Sequence, residues 1–395
     1  MRIDGIQNLH LRCTGCMACA DACPQGCIAP VIGRDGFRYA EIDTAHCVNC
    51  GKCGAVCPLE KQKKQPPRHL YAAYAKQPEI RNAGSSGGVF ELLAKALLEQ
   101  GYAVCGAAFD GLTLRHRLVY TKDELKPLLK SKYLQSDTTG IYREVLAILR
   151  DGGRVFFCGT PCQVTALCNI VPDALRDRLL TADIICHGVP SQQTFDRYIR
   201  SLEEKSGGRV SDFSFRVKDN RYRHAHGYAY TLTKNGRSRR VNGFYSQSSF
   251  YNAFKQYLFF REGCYICPFA IPERAADLTL GDFWGIEKYD FDGDGDTDAG
   301  VSMVITHTMA GKAAFAAVEA QIVCQEYPIA YGIASNYCLS KSTDKPDNRD
   351  RIILALEKQD YRTVAKAYFG ESPVFRVYRH IPPFLRKRLR KGNRG

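Results

Sequence analysis

Two cysteine runs in the first sixty residues set the tightest limit on what this chain folds into. Cys13-x2-Cys16-x2-Cys19-x3-Cys23-Pro24 is repeated as Cys47-x2-Cys50-x2-Cys53-x3-Cys57-Pro58. Gaps this short let one tight loop wrap three thiolates around an iron–sulfur core. The fourth cysteine, ahead of a proline that turns the chain away, reaches the core held by the other run. The spacing therefore predicts two [4Fe-4S] clusters, one held by Cys13, Cys16, Cys19 and Cys57, the other by Cys47, Cys50, Cys53 and Cys23. Zinc also accepts C-x2-C pairs, but two complete four-cysteine runs in tandem are not its usual pattern. Cys27 lies just past the first run with no partner at ligand spacing, and reads as a small buried thiol. Between the runs, Gly33-Arg34-Asp35-Gly36 reads as a hairpin turn separating two halves of a pseudo-symmetric domain.

Eighteen cysteines in 395 residues are too many to be incidental, and nine of them lie between Cys13 and Cys57. A chain of this length does not need disulfides for stability, so the thiols read first as metal ligands. Length also implies more than one domain. A ferredoxin-type domain is expected over residues 1–60, and the polar, proline-bearing stretch 61–69 reads as a linker. Two parts of a larger body follow over 70–170 and 171–345, then a helical, basic tail over 346–395. Met1 leads into cysteines without an apolar signal core, and no run of eighteen apolar residues exists, so a cytoplasmic protein without a transmembrane segment is expected.

In the body, short apolar strands alternate with amphipathic helices, giving an α+β fold class with a mixed sheet. Gly84, Ser85, Ser86, Gly87 and Gly88 precede a helix whose Val89, Leu92, Leu93, Ala96 and Leu97 share a face, and which ends at Gly101. A small-residue loop opening a helix offers free backbone N–H groups to a phosphate, although such loops are also common turns. A strand is expected over 102–109, then a helix opened by Thr121 with Glu124 completing a capping box. Lys132, Tyr133, Gln135 and Ser136 follow, a set able to grip a nucleotide or simply to form a polar connection.

The strand 154–158 runs into Gly159-Thr160-Pro161-Cys162-Gln163, where Thr160 suits an N-cap, Pro161 the first helical position and Gln163 a capping box. Cys162 thus falls in a first helical turn, where the dipole favours its thiolate. The strand 182–185 ends at Cys186-His187-Gly188. Open α/β sheets hold ligands at the C-terminal ends of their strands, so these two cysteines can share a crevice. Cys264-x2-Cys267, after an aromatic helix expected to carry Phe250, Tyr251, Phe254, Tyr257, Phe259 and Phe260, supplies half a site. Cys162, Cys186, Cys264 and Cys267 together make a third [4Fe-4S] site, with Cys158 able to replace Cys162; the alternative is that each is a core thiol, as expected for Cys105, Cys168, Cys324 and Cys338. The acidic run 290–298 begins like an EF-hand, but Val301 stands where the bidentate Glu belongs, which favours a solvated loop.

Several ordered motifs carry a wider likeness: Ser85-Ser86-Gly87-Gly88, Ser131-Lys132-Tyr133-x-Gln135-Ser136, Gly159-Thr160-Pro161-Cys162-Gln163, Cys186-His187-Gly188-Val189-Pro190-Ser191, Cys264-x2-Cys267, Gly281-Asp282-Phe283-Trp284-Gly285 and Gly300-Val301-Ser302. On these residues the chain resembles the coenzyme F420 hydrogenase/dehydrogenase beta subunits. The resemblance implies a flavin-binding body holding FAD at the 84–88 loop and the Lys132, Tyr133, Gln135 and Ser136 segment. It also implies an iron–sulfur flavoprotein that moves electrons between clusters and flavin and exchanges hydride with F420 or another small organic molecule. Ferredoxin or another redox protein is the expected external partner. It names neither the substrate nor the direction of flow, and the oligomeric state stays open. His187, beside an expected ligand, is either a proton relay or a hydrogen-bond donor to the cluster.

A rival reading is a non-catalytic electron-transfer subunit, against which stands the size of the body. A second is a nucleic-acid binder, suggested by the formal charge of +14 and by Arg216, Lys218, Arg221, Arg223, Arg237, Arg239 and Arg240, with no recognised motif beside them. Three clusters and a pyrophosphate at about −2 each bring that charge to roughly +6, so much of it is counter-charge for cofactors and no nucleic-acid partner is expected. The remainder suits an acidic redox protein, and the basic cluster at 386–391 reads as a solvated end.

Overall fold

The computed structural model describes residues 12–218, 227–293, 296–370 and 381. The basic tail at 386–391, Arg221 and Arg223, and Asp294 and Gly295 of the acidic run lie outside the described residues.

The N-terminal region is built twice over. Helix Ala18–Ala22 follows Met17 in the left-handed conformation (φ 56°), and helix Lys52–Val56 follows Gly51 in the same conformation (φ 72°). Each cysteine run thus closes on a single helical turn. Between them β1 (Ile28–Ile32) and β2 (Arg38–Ile42) pair antiparallel, as the turn residues predict. The turn is closed by the Gly33 N–H donating to the Phe37 carbonyl (2.8 Å), with Gly36 at φ 77°.

The body is α+β around an eight-stranded mixed sheet. Its strands are β3 (His69–Ala75), β4 (Tyr102–Asp110), β5 (Thr113–Val119), β6 (Arg154–Gly159) and β7 (Leu179–Ile184), and later β11 (Leu278–Asp282), β12 (Ser302–Thr306) and β13 (Ile322–Tyr327). A separate antiparallel sheet holds β8 (Arg209–Val217), β9 (Gly227–Lys234) and β10 (Arg237–Phe244). The large sheet runs β13-β3-β12-β11-β7-β6-β4-β5, and its centre, β11, β7, β6 and β4, is parallel. The buried strands read as continuous apolar runs, as a sheet covered on both faces requires. Helix Val89–Glu99 lays Leu92, Leu93 and Leu97 on one face of it. An aromatic core centred on Phe195, Phe213, Phe215 and Phe250 joins the smaller sheet to helix Gln192–Ser206.

Two expectations fail here. No helix follows Thr121; the segment makes only a 3-10 turn, Lys126–Leu128. Glu124 does fold back onto the N–H of Thr121 (3.2 Å), but Pro127 lacks a donor and Leu125 and Leu128 are drawn into the core. The aromatic helix is also shorter than expected, Ser249–Lys255, because Tyr257 takes φ 61° and turns the chain.

The ferredoxin-type region is bound tightly to the body. Asp21 is buried and accepts the N–H groups of Gly140 (2.8 Å) and Tyr142 (3.1 Å), capping helix Ile141–Arg150 from another part of the chain. Thr138 donates to the Cys16 carbonyl (2.8 Å), and Arg38 pairs with Asp137 (2.8 Å). Cys16, Ala18 and Val56 share one apolar cluster with Tyr142, Phe157 and Leu167. Even the connecting segment is held: Gln65 and Arg274 exchange both backbone hydrogen bonds (2.7 and 3.0 Å), and Asn169 donates to the Lys61 carbonyl (2.8 Å). Among the described residues, no helix is long and apolar enough to cross a membrane.

Candidate functional site

At the C-terminal ends of the parallel strands lies one cavity of about 570 Å³, within the range of ligand pockets. Gly159 ends β6, Ile184 ends β7 and Asp282 ends β11, and all three line it. This is where an open α/β sheet places its ligand.

One wall carries sulfur. Cys162, Cys186, Cys264 and Cys267 all line the cavity, and the Cys186 thiol lies within electrostatic reach of the other three. Thr160 begins helix Pro161–Ile170, with its N–H donating to Gln163 Oε1 (2.9 Å), which puts Cys162 in the first turn. Its thiol is nevertheless pushed up to about 11: burial outweighs the Thr160 hydroxyl, 3.1 Å from Sγ, and the nearby Arg261 charge, so the expected dipole-favoured thiolate does not emerge from the protein alone. Cys158 lines the same cavity, but its charged neighbours are Asp183 and Lys132 rather than the other cysteines, whereas Cys162 lies within reach of Cys186 and Cys267.

In the N-terminal region Cys19 lies within reach of Cys13 and Cys57, and Cys53 of Cys47 and Cys50. The Cys23 sulfur meets Cys27 Sγ at 3.4 Å, and Cys27 is also close to Cys47. Cys27 is buried as expected, yet it is a fifth thiol beside the second set; an i, i+4 spacing was the only signal of this. The sets adjoin one another. Cys50 is exposed, Cys19 is within reach of both Cys53 and Cys57, and Cys16 is within reach of Cys162. Among the described residues no three His, Cys, Asp or Glu side chains close on a single metal ion.

A buried cation adds a second test of fit. Arg261 is 1% exposed, and among the described residues no carboxylate pairs with it. Its Nε donates to the Cys13 carbonyl, Nη2 to the Arg38 carbonyl (2.9 Å) and Nη1 to Gln135 Oε1 (3.2 Å). A desolvated guanidinium without an anion is costly, and the Cys162 and Cys264 thiols lie within its electrostatic reach.

The opposite wall carries the glycine-serine loop. Ser85 Oγ accepts the Ser131 N–H (2.7 Å), the Ser86 hydroxyl donates to the Val301 carbonyl (2.8 Å), and the Gly87 N–H donates to Ser302 Oγ (2.9 Å). Gly87 lies against β3 so closely that a Cβ there would stand 2.3 Å from the Ala73 carbonyl oxygen. Gly88, at φ 84°, turns the chain into the helix. Among the described residues, the N–H groups of Ser85, Ser86 and Gly88 make no hydrogen bond within the protein, which is the property an anion-binding loop needs.

The loop is clamped by a pair that sequence reasoning did not assign. Arg216 forks onto Asp282 (2.7 and 2.9 Å), donates to the Tyr133 hydroxyl (3.1 Å) and to the Ser85 carbonyl (2.6 Å). Burial works against the Asp282 charge, but the guanidinium outweighs it and holds the carboxyl below its ordinary range. Arg216 is therefore spent inside the protein. Lys218 is likewise turned inward, onto the Arg81 carbonyl (2.7 Å), whereas Arg237, Arg239 and Arg240 are exposed on β10. Asp282 stood within a quoted motif; Arg216 had no local signal.

The remaining expected ligands are placed variously. Lys132 retains accessible surface only because the cavity is open beside it; protein surrounds it, and burial lowers its ammonium to about 7. Tyr133 stacks on Phe254 (4.2 Å). Gln135 donates to the Thr14 carbonyl (2.9 Å) and accepts from Arg261, so its amide ties the two regions together. Ser136 shares a hydrogen bond with His116 Nδ1 (2.7 Å). His187 lines the cavity, its ring edge-on to Tyr337, and burial keeps it below its ordinary value.

Comparison with known proteins identifies both regions. The 4Fe-4S dicluster domain matches residues 12–61. The N-terminal part of the coenzyme F420 hydrogenase/dehydrogenase beta subunit matches 70–141 and its C terminus 152–330. No curated protein matches. Among solved structures, a chain of the F420-reducing [NiFe] hydrogenase complex from Methanosarcina barkeri is 15% identical, with a TM-score of 0.43, over 77% of this chain and 92% of that one. Two family halves in order, covering well over half the chain, behind a dicluster domain place it in the coenzyme F420 hydrogenase/dehydrogenase beta subunit family, as an iron–sulfur protein of oxidoreductase type.

Proposed function

We propose that the chain is an FAD-dependent iron–sulfur oxidoreductase that takes electrons from a ferredoxin-like donor and exchanges hydride with F420 or another small organic molecule. The observation that carries this reading is that one cavity is lined by both the 84–88 loop and the cysteines Cys162, Cys186, Cys264 and Cys267. When bound, clusters supply single electrons and a flavin pairs them for hydride chemistry. The chain's own residues do the placing. Cys13, Cys16, Cys19 and Cys57 would hold an inner cluster, Cys23, Cys47, Cys50 and Cys53 an outer one, and the four cavity cysteines a third. Ser85, Ser86 and Gly88 would present N–H groups to the pyrophosphate, Gly87 being bonded to Ser302, and Lys132 would supply positive charge from the wall of the same cavity. His187 borders the same space.

Anaerobic purification tests it. About twelve irons and one FAD per chain are expected, with bleaching of the flavin absorbance on adding reduced ferredoxin. Eight irons remove the third cluster, zinc in place of iron overturns the redox reading, and intact clusters without flavin return the chain to a plain electron-transfer subunit.

A further inference from the structure

Arg261 sits where the two cysteine systems meet. It immediately precedes the short helix Glu262–Tyr265, whose Cys264 N–H donates to the Arg261 carbonyl (2.9 Å). Its backbone N–H donates to the Val189 carbonyl (3.0 Å), three residues beyond Cys186. Its side chain crosses to the ferredoxin-type region, bonding the carbonyls of Cys13 and Arg38 and lying 4.3 Å from the Tyr39 ring centre. Its charge reaches the Cys162 and Cys264 thiols, and Cys16 lies within reach of Cys162. One main chain thus carries a ligand of the cavity set, while the same residue's guanidinium holds the backbone of a ligand of the inner set.

We infer that Arg261 is the positioning and charge-balancing residue shared by the inner and third clusters. The physical argument is the missing counter-ion. A guanidinium this deep, spending its hydrogen bonds on neutral oxygens, is stabilised when cluster anions lie on both sides of it. The converse follows by reciprocity: a fixed buried cation favours the more negative, reduced state of both clusters. Arginine suits the place because its planar fork reaches three acceptors at once and keeps its charge when buried. Lysine would keep the charge and lose the fork. The inference rests on the three-cluster reading of the thiols and is independent of FAD.

The test is a redox titration of the anaerobically purified full chain, followed by EPR so that each cluster is read separately. In Arg261→Met the third and inner clusters are expected to titrate at more negative potential, by a tenfold or larger change in the one-electron equilibrium, ~59 mV. The outer cluster of Cys23, Cys47, Cys50 and Cys53 stays put and serves as internal reference. Arg261→Lys should restore most of the shift, which a purely packing role would not do. If Arg261→Met loses iron, Arg261→Gln, which keeps a donor without the charge, carries the same expectation. Unchanged potentials in a charge-removing variant with full iron overturn the inference. So do an equal shift of all three clusters and a lysine variant that behaves like the uncharged ones. A wild-type chain with only eight irons would instead fail the proposed function first, and the two failures are distinguishable.

Discussion

Removing one charge of the loop clamp has a calculable cost. Arg216 and Asp282 are joined by two charge-assisted hydrogen bonds, with side chains 7% and 20% exposed. In Asp282→Asn one oxygen still accepts, but the amide turns a donor toward the guanidinium, so one bond is lost and the other passes from an ion pair to a bond between the guanidinium and a neutral oxygen. Hydrogen bonds to charged groups contribute about 1.5–3 kcal/mol each, and breaking one side of a buried pair costs about 3–5 kcal/mol. The partial exposure of Asp282 puts the expectation near the lower end, ~3 kcal/mol. Anaerobic urea unfolding should show it as a lower midpoint at unchanged slope. Pairing Arg216→Met with Asp282→Leu removes both charges and should cost less than the two single changes added together, because neither partner is left stranded. A single variant within about 1 kcal/mol of the parent, or strict additivity in the double, would refute the clamp argument.

Three further outcomes follow from particular contacts. Gly87→Ala forces a Cβ against the backbone of β3 and β12; it should cost about 1–3 kcal/mol and lower flavin content, and normal flavin with normal stability would show that the loop gives way easily. Cys162→Ser should lower iron by about four per chain while Cys158→Ser leaves it unchanged; the reverse pattern would exchange their roles. His116 is buried between Ser136 and the Cys158 carbonyl, and burial lowers it to about 4. Its ordinary value is ~6.5, so the stability it contributes is complete above that pH and is lost as pH falls toward 4. His116→Gln should flatten the fall in urea midpoint between pH 7 and 5; an unchanged slope would mean that the imidazole does not report its burial.

What could be read in advance was whatever the physics keeps local. The cysteine runs, the hairpin at Gly33 and Gly36, and the Thr160-Pro161-Gln163 helix start depend on neighbours within a few residues; the hairpin and the helix start form as expected, and the runs fall within the matched dicluster domain. The Thr121 signal is equally local, yet Pro127 and the burial of Leu125 and Leu128 overrode it. What escaped was long-range. Asp21 caps a helix about 120 positions away, Arg216 clamps a loop about 130 positions back, and Arg261 returns nearly 250 positions to Cys13. An arginine carries no mark of whether it will meet solvent, a carbonyl or a cluster. For that reason the charge on Arg216 and Lys218, read from sequence as surface, is largely interior.

The bonding of residues 61–69 along the body changes what the N-terminal region is. A carrier on a loose tether searches a volume, and its encounters depend on the tether's length and on solvent viscosity. Here the Gln65 and Arg274 bridge, the Asn169 bond to Lys61 and the Asp21 cap fasten the region as a fixed part of the molecule. It is a socket rather than an arm: under the proposed function a donor would have to come to the exposed Cys50 face, since the region is fastened in place. Extra residues inserted at 61–69 would therefore break a joint instead of lengthening a leash.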